Sequence, residues 1–317
     1  MTHSFERYTA AGNTFVVMNT WEDPLSLSRE EMRMFVRNVC DRHGADPIVD
    51  DGSCAAGVGS DGLILINQSG LGAAFRMDFY NPDGSTGMLC GNGSRCAVEA
   101  AQEYGFVTGS ETEFEVLGAI NHAMVLPNGS IRVYFQDPSI IRLNFPLSLE
   151  GEKSITASYV DLGSQHVVVF FDELKSLGEA DQSCANDLEN LNIGHYGPLL
   201  RSHNAFEPIG ANANFIEVRE DGDEKYLRIR TFERGVEGET LACGTGCMSS
   251  AIVARLTGRI EKTPIRLLTQ SGEYVAVDFN VDGETITNLS LEGPVVRGEE
   301  GTVIFDEKTG MIEVNYV

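Results

Sequence analysis

The 317-residue chain carries 47 acidic against 23 basic side chains, a formal charge of −24 and a pI near 4.5, so a polyanion is repelled and nucleic acid is excluded as a partner. No apolar run reaches the ~20 residues a membrane span needs, and the first residues lack a signal-peptide core, so the chain reads as cytoplasmic and without a membrane partner. Seven cysteines, at 40, 54, 90, 96, 184, 243 and 247, form an odd set without C-x-x-C pairs and read as reduced thiols; Cys243 and Cys247 have no His at ligand spacing, so no metal is expected.

In chain order, residues 5–20 alternate and predict a strand entered through the turn Ala10-Ala11-Gly12-Asn13, with Asn13 at its mouth. Ser28 to Arg42 has a helical pattern, with Ser28 as N-cap and Glu31 completing a capping box. Residues 44–56 are an acidic insertion. Gly57-Val58-Gly59-Ser60-Asp61-Gly62 is formally a G-x-G-x-x-G, but it precedes a strand at Leu63–Ile66 and opens no helix, so it is no dinucleotide fingerprint. A strand at Asp78-Phe79-Tyr80, a glycine-rich turn and a small, apolar helix opening at Cys90 follow; such a helix is buried all round. Residues 111–135 predict strands about the turn Pro127-Asn128-Gly129, and 137–149 predict a bridge between lobes. A strand over 157–171 carries Ser164, Gln165 and His166; 172–205 reads as a polar, loop-rich excursion with His195 and His203 at the surface. Gly210 to Phe215 enters a further strand, and the alternating stretch Leu227–Phe232 delivers Glu233 and Arg234 to a second glycine-rich turn before Cys243.

Cys243 follows Cys90 by 153 positions, each at the start of a helix. Other landmarks recur at nearly that offset: Gly12-Asn13 with Gly163-Ser164, Gly57 with Gly210, and the turn Asn128-Gly129 with Asp282-Gly283. Such landmarks recurring in one order indicate an internal duplication and two lobes of roughly 150 residues. Two similar lobes facing each other would bring two helix-start cysteines to one cleft. At a helix start, unpaired N–H groups and the dipole favour thiolate over thiol.

Two thiols on opposite sides of a carbon suit stereoinversion: one as thiolate removes the α-proton of an amino acid, the other as thiol protonates the opposite face. The backbone N–H groups of Gly91-Asn92 and Gly244-Thr245, at the two helix starts, suit the α-carboxylate into which the carbanion charge spreads. No lysine stands in a motif for pyridoxal phosphate, so no cofactor is expected.

Asn81-Pro82-Asp83-Gly84-Ser85 with Cys90-Gly91-Asn92-Gly93, and Glu233-Arg234-Gly235 with Glu239 to Gly246, resemble the two signatures of the diaminopimelate epimerase family. The resemblance implies an α+β fold of two pseudo-symmetric lobes, each a mainly antiparallel sheet or barrel wrapped around a central helix. By it the first lobe comprises 1–136 plus 297–317, with Cys90, and the second 137–296, with Cys243. It implies cofactor-free interconversion of L,L- and meso-diaminopimelate, in lysine and cell-wall precursor biosynthesis, by a homodimer. Cys90 and Cys243 would be the catalytic pair, with His166 and Glu233 adjusting their protonation. Asn13, Asn81, Asn212 and Arg234 would hold the substrate, Arg234 suiting a planar carboxylate fork at the distal end. Where the family commonly has Gly-Asn-Pro-His, this chain has Gly163-Ser164-Gln165-His166, so a hydroxyl at Ser164 replaces a substrate-contacting amide. Three alternatives stay open at this point: a related racemase or epimerase acting on proline or histidine, a redox pair of thiols, and a non-catalytic binding protein.

Overall fold

The computed structural model describes residues 1–42, 57–86, 89–149, 154–175, 187–283, 285–307 and 309–317. The chain divides into two compact units, Met1–Val133 with Gly293–Val317, and Tyr134–Glu292. Both are mostly sheet with few helices.

In the first unit β1 (Thr2–Ala10) and β2 (Asn13–Asn19) are antiparallel partners, so the stretch 5–20 is two strands and not one. The reversal sits at Ala11-Gly12, both at positive φ, where the glycine has no side chain to clash. Helix α1 (Arg29–Cys40) opens with the expected capping box: Ser28 Oγ accepts from Glu31 N, and the Glu31 carboxylate accepts from Ser28 N. It buries Phe35, Val36 and Val39 in a core with Val16, Met18, Leu63 and Leu65. Strand β3 (Gly62–Asn67) runs parallel to β2 and is buried at every position, which is why its sequence is a continuous apolar run and not an alternating one.

The glycine-rich stretch 57–62 feeds this strand. A Cβ on Gly57 would lie 2.3 Å from the Asp41 carbonyl oxygen, and one on Gly62 would lie 2.4 Å from the Phe79 ring. These glycines therefore serve close backbone packing. Strand β4 (Phe75–Tyr80) is antiparallel to β3. Helix α2 (Gly91–Glu103) packs on β1 to β4, with Cys96, Ala97, Val98, Ala100 and Ala101 buried. Strands β5 (Glu111–Val116) and β6 (Ala119–Val125) continue the sheet, parallel to β4 and antiparallel to β5 respectively, and β7 (Ile131–Tyr134) pairs with β6 across the Asn128-Gly129 turn.

In the second unit β8 (Ile140–Ser148) pairs with β9 (Ser154–Asp161), so 137–149 contributes a sheet strand where a bridge was expected. Strand β10 (Gln165–Phe170) is antiparallel to β9; Gly163, at φ 82°, turns the chain between them and splits the expected strand 157–171 in two. After the short helix α3 (Phe171–Lys175) and a 3-10 turn at Leu188–Asn190 comes α4 (Ile193–Arg201), inside the stretch expected to be loop-rich. Gly194, Gly197 and Pro198 disguise this helix in the sequence; the side chain of Asn192 caps it, and burial of Tyr196 and Leu200 outweighs the poor propensity. His195 lies exposed, whereas His203 is half-buried and bonds the Ser148 carbonyl.

Strand β11 (Asn212–Asp221) is parallel to β10, β12 (Glu224–Glu233) antiparallel to β11, and β13 (Gly238–Thr240) pairs back on β12. Helix α5 (Gly244–Leu256) packs on β9 to β12. Strand β14 (Ile265–Leu268) is parallel to β12, and β15 (Tyr274–Asp282) with β16 (Thr285–Gly293) completes the unit's sheet. Finally β17 (Val296–Phe305) pairs with β1, and β18 (Ile312–Tyr316) with β17, both within the first unit.

Two guanidinium groups fasten the 3-10 turn to β12. Arg230 Nη1 donates to the carbonyls of Leu188, Glu189 and Leu191 at 2.9, 3.1 and 2.9 Å, while its Nε and Nη2 grip the Glu239 carboxylate at 2.6 and 2.7 Å. Arg228 holds Glu189 bidentately at 2.7 and 2.8 Å. The insertion 44–56 lies outside the described residues, as do Cys54 and Cys184; the other five cysteines are free thiols. Among the described residues no helix is long and apolar enough to cross a membrane.

Candidate active site

In the first unit Cys90 is the N-cap of α2, extended at φ −97°, and its Sγ accepts from Gly93 N at 3.4 Å. The next two residues, Gly91 and Asn92, are buried. Asn92 Nδ2 donates to Asn13 Oδ1 at 2.7 Å, and Asn92 Oδ1 accepts from the fully buried Arg95 at 3.0 Å. Asn13 donates in turn to Asp61 at 3.5 Å, and the same carboxylate oxygen takes Thr14 N at 2.9 Å. Asn13 and Asn92, far apart in the chain, are thus one hydrogen-bonded pair that fixes the mouth of β2 against the start of α2. Asn81 closes its own turn, donating to Ser85 Oγ at 3.0 Å and, from its N–H, to the Ser85 carbonyl at 2.9 Å.

In the second unit the parallel register sets His166 beside Asn212 and Val168 beside Asn214. His166 is completely buried. Its Nε2 lies 2.9 Å from Thr245 Oγ1, which is 3.5 Å from Cys243 Sγ. Asn212 is a hub: Nδ2 donates to Ser164 Oγ at 3.0 Å and to the Gln165 carbonyl at 3.1 Å, while Oδ1 accepts from Arg234 N at 2.8 Å. The Arg234 guanidinium donates to Gln165 Oε1 at 3.1 Å, and Gln165 Nε2 donates to Asp161 at 3.2 Å. Ser164, His166, Asn212, Arg234, Cys243 and Thr245 thereby belong to one continuous polar cluster, with Gly244 opening α5 beside it. Glu233 ends β12 at its edge.

The electrostatics depart from the simple helix-dipole expectation. Burial pushes the Cys243 thiol well above its ordinary value, and the Glu233 carboxylate adds to the rise; the Thr245 hydroxyl and the Gly246 N–H pull it down, against a further rise from Cys247. Desolvation outweighs the helix start here, so the resting form of Cys243 is the thiol. Burial lowers the His166 pKa to about 3; the Asn214 amide opposes the shift and the Arg234 charge adds to it. The ring is therefore neutral at physiological pH.

The diaminopimelate epimerase family model matches residues 5–141 and 158–297. The chain belongs to the diaminopimelate epimerase family. A family relative from Aquifex aeolicus (strain VF5), named diaminopimelate epimerase, is 37% identical over 304 residues, covering 94% of this chain and 96% of its own. One of the same name from Chlorobaculum tepidum is 33% identical over 296 residues, covering 93% of this chain and 99% of its own. Among solved structures, a Bacillus anthracis phenazine biosynthesis protein of the PhzF family superposes with a TM-score of 0.66 at 16% identity, over 96% of this chain and all of its own, which is a likeness of fold.

Several members of this epimerase-family cluster escape a motif search. Asn214 and Thr231 stand in no signature, yet Asn212 and Asn214 are two apart on one strand and so share a face, separated by the buried Ala213. Two amides on one face of a buried strand are a signal the sequence does carry, since each must find partners.

Proposed function

We propose that this chain is a diaminopimelate epimerase, an isomerase that interconverts the L,L and meso forms in lysine and cell-wall precursor biosynthesis without a cofactor. Membership of the family carries the reading of the reaction. One of Cys90 and Cys243 takes the α-proton as thiolate and the other returns a proton to the opposite face; the buried, protonated state of Cys243 supports its readiness to donate. The N–H groups of Gly91, Asn92, Gly244 and Thr245 hold the α-carboxylate as charge builds on it. Asn13, Asn81, Ser164, Asn212 and Arg234 hold the rest of the substrate, and His166 and Glu233 tune the thiols.

The repeated strand order supports descent of two pseudo-symmetric lobes from one duplicated unit, each wrapped about its buried helix. In the first unit β1 to β5 alternate antiparallel, parallel, antiparallel, parallel, and in the second β9, β10, β11, β12 and β14 do the same. We further read the enzyme as a cytoplasmic homodimer.

The test is α-proton exchange and epimerisation in D2O, without added cofactor, for diaminopimelate against a panel that includes proline and histidine. Rapid exchange and inversion of diaminopimelate alone is the expected result; turnover confined to a single-centred amino acid would replace the substrate assignment, and loss of all turnover would overturn the reaction class.

A further inference from the structure

We propose that Asn214 is a positioning residue that fixes the direction of a buried hydrogen-bond chain, His166 Nε2–H to Thr245 Oγ1–H to Cys243 Sγ, so that the chain ends with a donor aimed at the sulfur. This deepens the proposed epimerase reading and rests on it for the role of Cys243.

Asn214 is fully buried, and its amide has one orientation that satisfies its neighbours. Nδ2 lies 3.0 Å from the Val167 carbonyl, a group that can only accept, so the amide nitrogen must be there. Oδ1 accepts from Thr231 Oγ1 at 3.0 Å. Turning the amide over would set oxygen against the Val167 carbonyl in a dry interior and leave both without a donor. The second Nδ2 hydrogen then meets His166 Nδ1 at 3.1 Å. A neutral imidazole whose Nδ1 accepts must carry its hydrogen on Nε2. Asn212 Nδ2, 3.4 Å from Nε2, spends its hydrogens on Ser164 and on the Gln165 carbonyl, so it does not compete.

The consequence runs along the chain. Nε2–H donates into one of the two lone pairs of Thr245 Oγ1, and the hydroxyl keeps its own hydrogen to direct at Cys243 Sγ. When Cys243 gives its proton to the substrate carbanion, the S–H bond breaks, a C–H bond forms and the electron pair stays on sulfur. A thiolate in a dry site is costly, and an O–H donor already aimed at it lowers that cost without reorganisation. His166 therefore acts as a fixed dipole and not as a titrating base. The charged and titratable groups facing this chain are Arg234 toward His166, and Glu233 and Cys247 toward Cys243.

The helix start is shaped around the same amide. A Cβ on Gly246 would lie 2.5 Å from Asn214 Oδ1, so a side chain there would displace the amide from beneath the first turn of α5.

The experiment is 15N NMR of the full chain at neutral pH, with the His166 signals assigned by their loss in His166→Gln. The expected spectrum shows a protonated Nε2 and a bare Nδ1; a protonated Nδ1 in the wild-type chain overturns the proposal, whatever the variants do. Asn214→Leu removes the donors at similar volume and should mix the two tautomers. It should also lower kcat roughly tenfold at nearly constant KM and move the Cys243 limb of the pH profile up by about one unit. Thr245→Val should reproduce the pH shift and Thr245→Ser should restore it. A wild-type profile in a folded Asn214→Leu variant overturns the proposal. If the chain turns over no amino acid, the proposed function fails, whereas the tautomer and the pH dependence of Cys243 alkylation, followed by mass spectrometry of its peptide, still decide the role of Asn214.

Discussion

The Arg234 guanidinium is held by Gln165 Oε1 at 3.1 Å, and Gln165 is itself tied to Asp161 at 3.2 Å. In the proposed enzyme this pre-sets the cation for the distal carboxylate. Gln165→Ala would leave a long, rotamer-rich side chain to be ordered on binding, a cost of about 0.5–1.5 kcal/mol. We expect KM for diaminopimelate to rise about 2- to 10-fold with kcat held, since the lost interaction serves ground and transition states alike. Steady-state kinetics check this; a fall in kcat at constant KM would move Gln165 out of substrate positioning.

Cys90→Ala and Cys243→Ala should each abolish inversion, because each removes a proton carrier with no substitute. The serine variants should retain exchange at about 10² to 10⁴ below wild type, a hydroxyl being a much weaker base. Chiral chromatography of diaminopimelate after prolonged incubation measures both. Normal turnover by either alanine variant would exclude the two-thiol scheme.

Acid should weaken the fold through His166. Its folded pKa, about 3, lies below the ordinary 6.5, so between those values the unfolded chain binds a proton that the folded chain does not. Stability from this group is complete above pH 6.5 and is lost as pH falls toward 3, at roughly 1.4 kcal/mol per unit. Urea unfolding at pH 7, 6 and 5 should show a steeper loss for wild type than for His166→Gln. Parallel slopes would mean the ring is not buried neutral.

Gly62→Ala probes the close approach of β3 to Phe79. The new Cβ would fall 2.4 Å from a ring that is itself packed in the core and 2.8 Å from the Tyr80 carbonyl oxygen, neither of which can swing clear. Such overpacking costs about 1–3 kcal/mol. The urea midpoint should drop accordingly, and an unchanged midpoint would show that the sheet yields there.

Regular local signals were legible: the capping box at Ser28 and Glu31, the turn at Asn128-Gly129, and the burial of most of α2 all reappear as read, although Ser94 and Arg95 are among its buried residues. Helix α4 was hidden because its glycines and proline argue against a helix that tertiary burial imposes. In the candidate site, motif residues such as Arg234, His166 and Thr245 could be named in advance, but which of them meet could not. The two-residue spacing of Asn212 and Asn214 marks a shared face, but the groups that Gln165 and Asn214 meet lie across strand register and over long sequence separations. A helix start alone does not set the protonation of Cys243, since the burial that raises its pKa depends on the whole fold.

The grip of Arg230 on three carbonyls and one carboxylate bears on any attempt to make a shorter version of this protein. Excising the turn at Leu188–Asn190 together with α4 would strip that guanidinium of its neutral acceptors and leave Glu239 as its partner there. A minimised variant therefore has to replace Arg230 and Glu239 together with apolar residues in the same step, or keep the excursion whole.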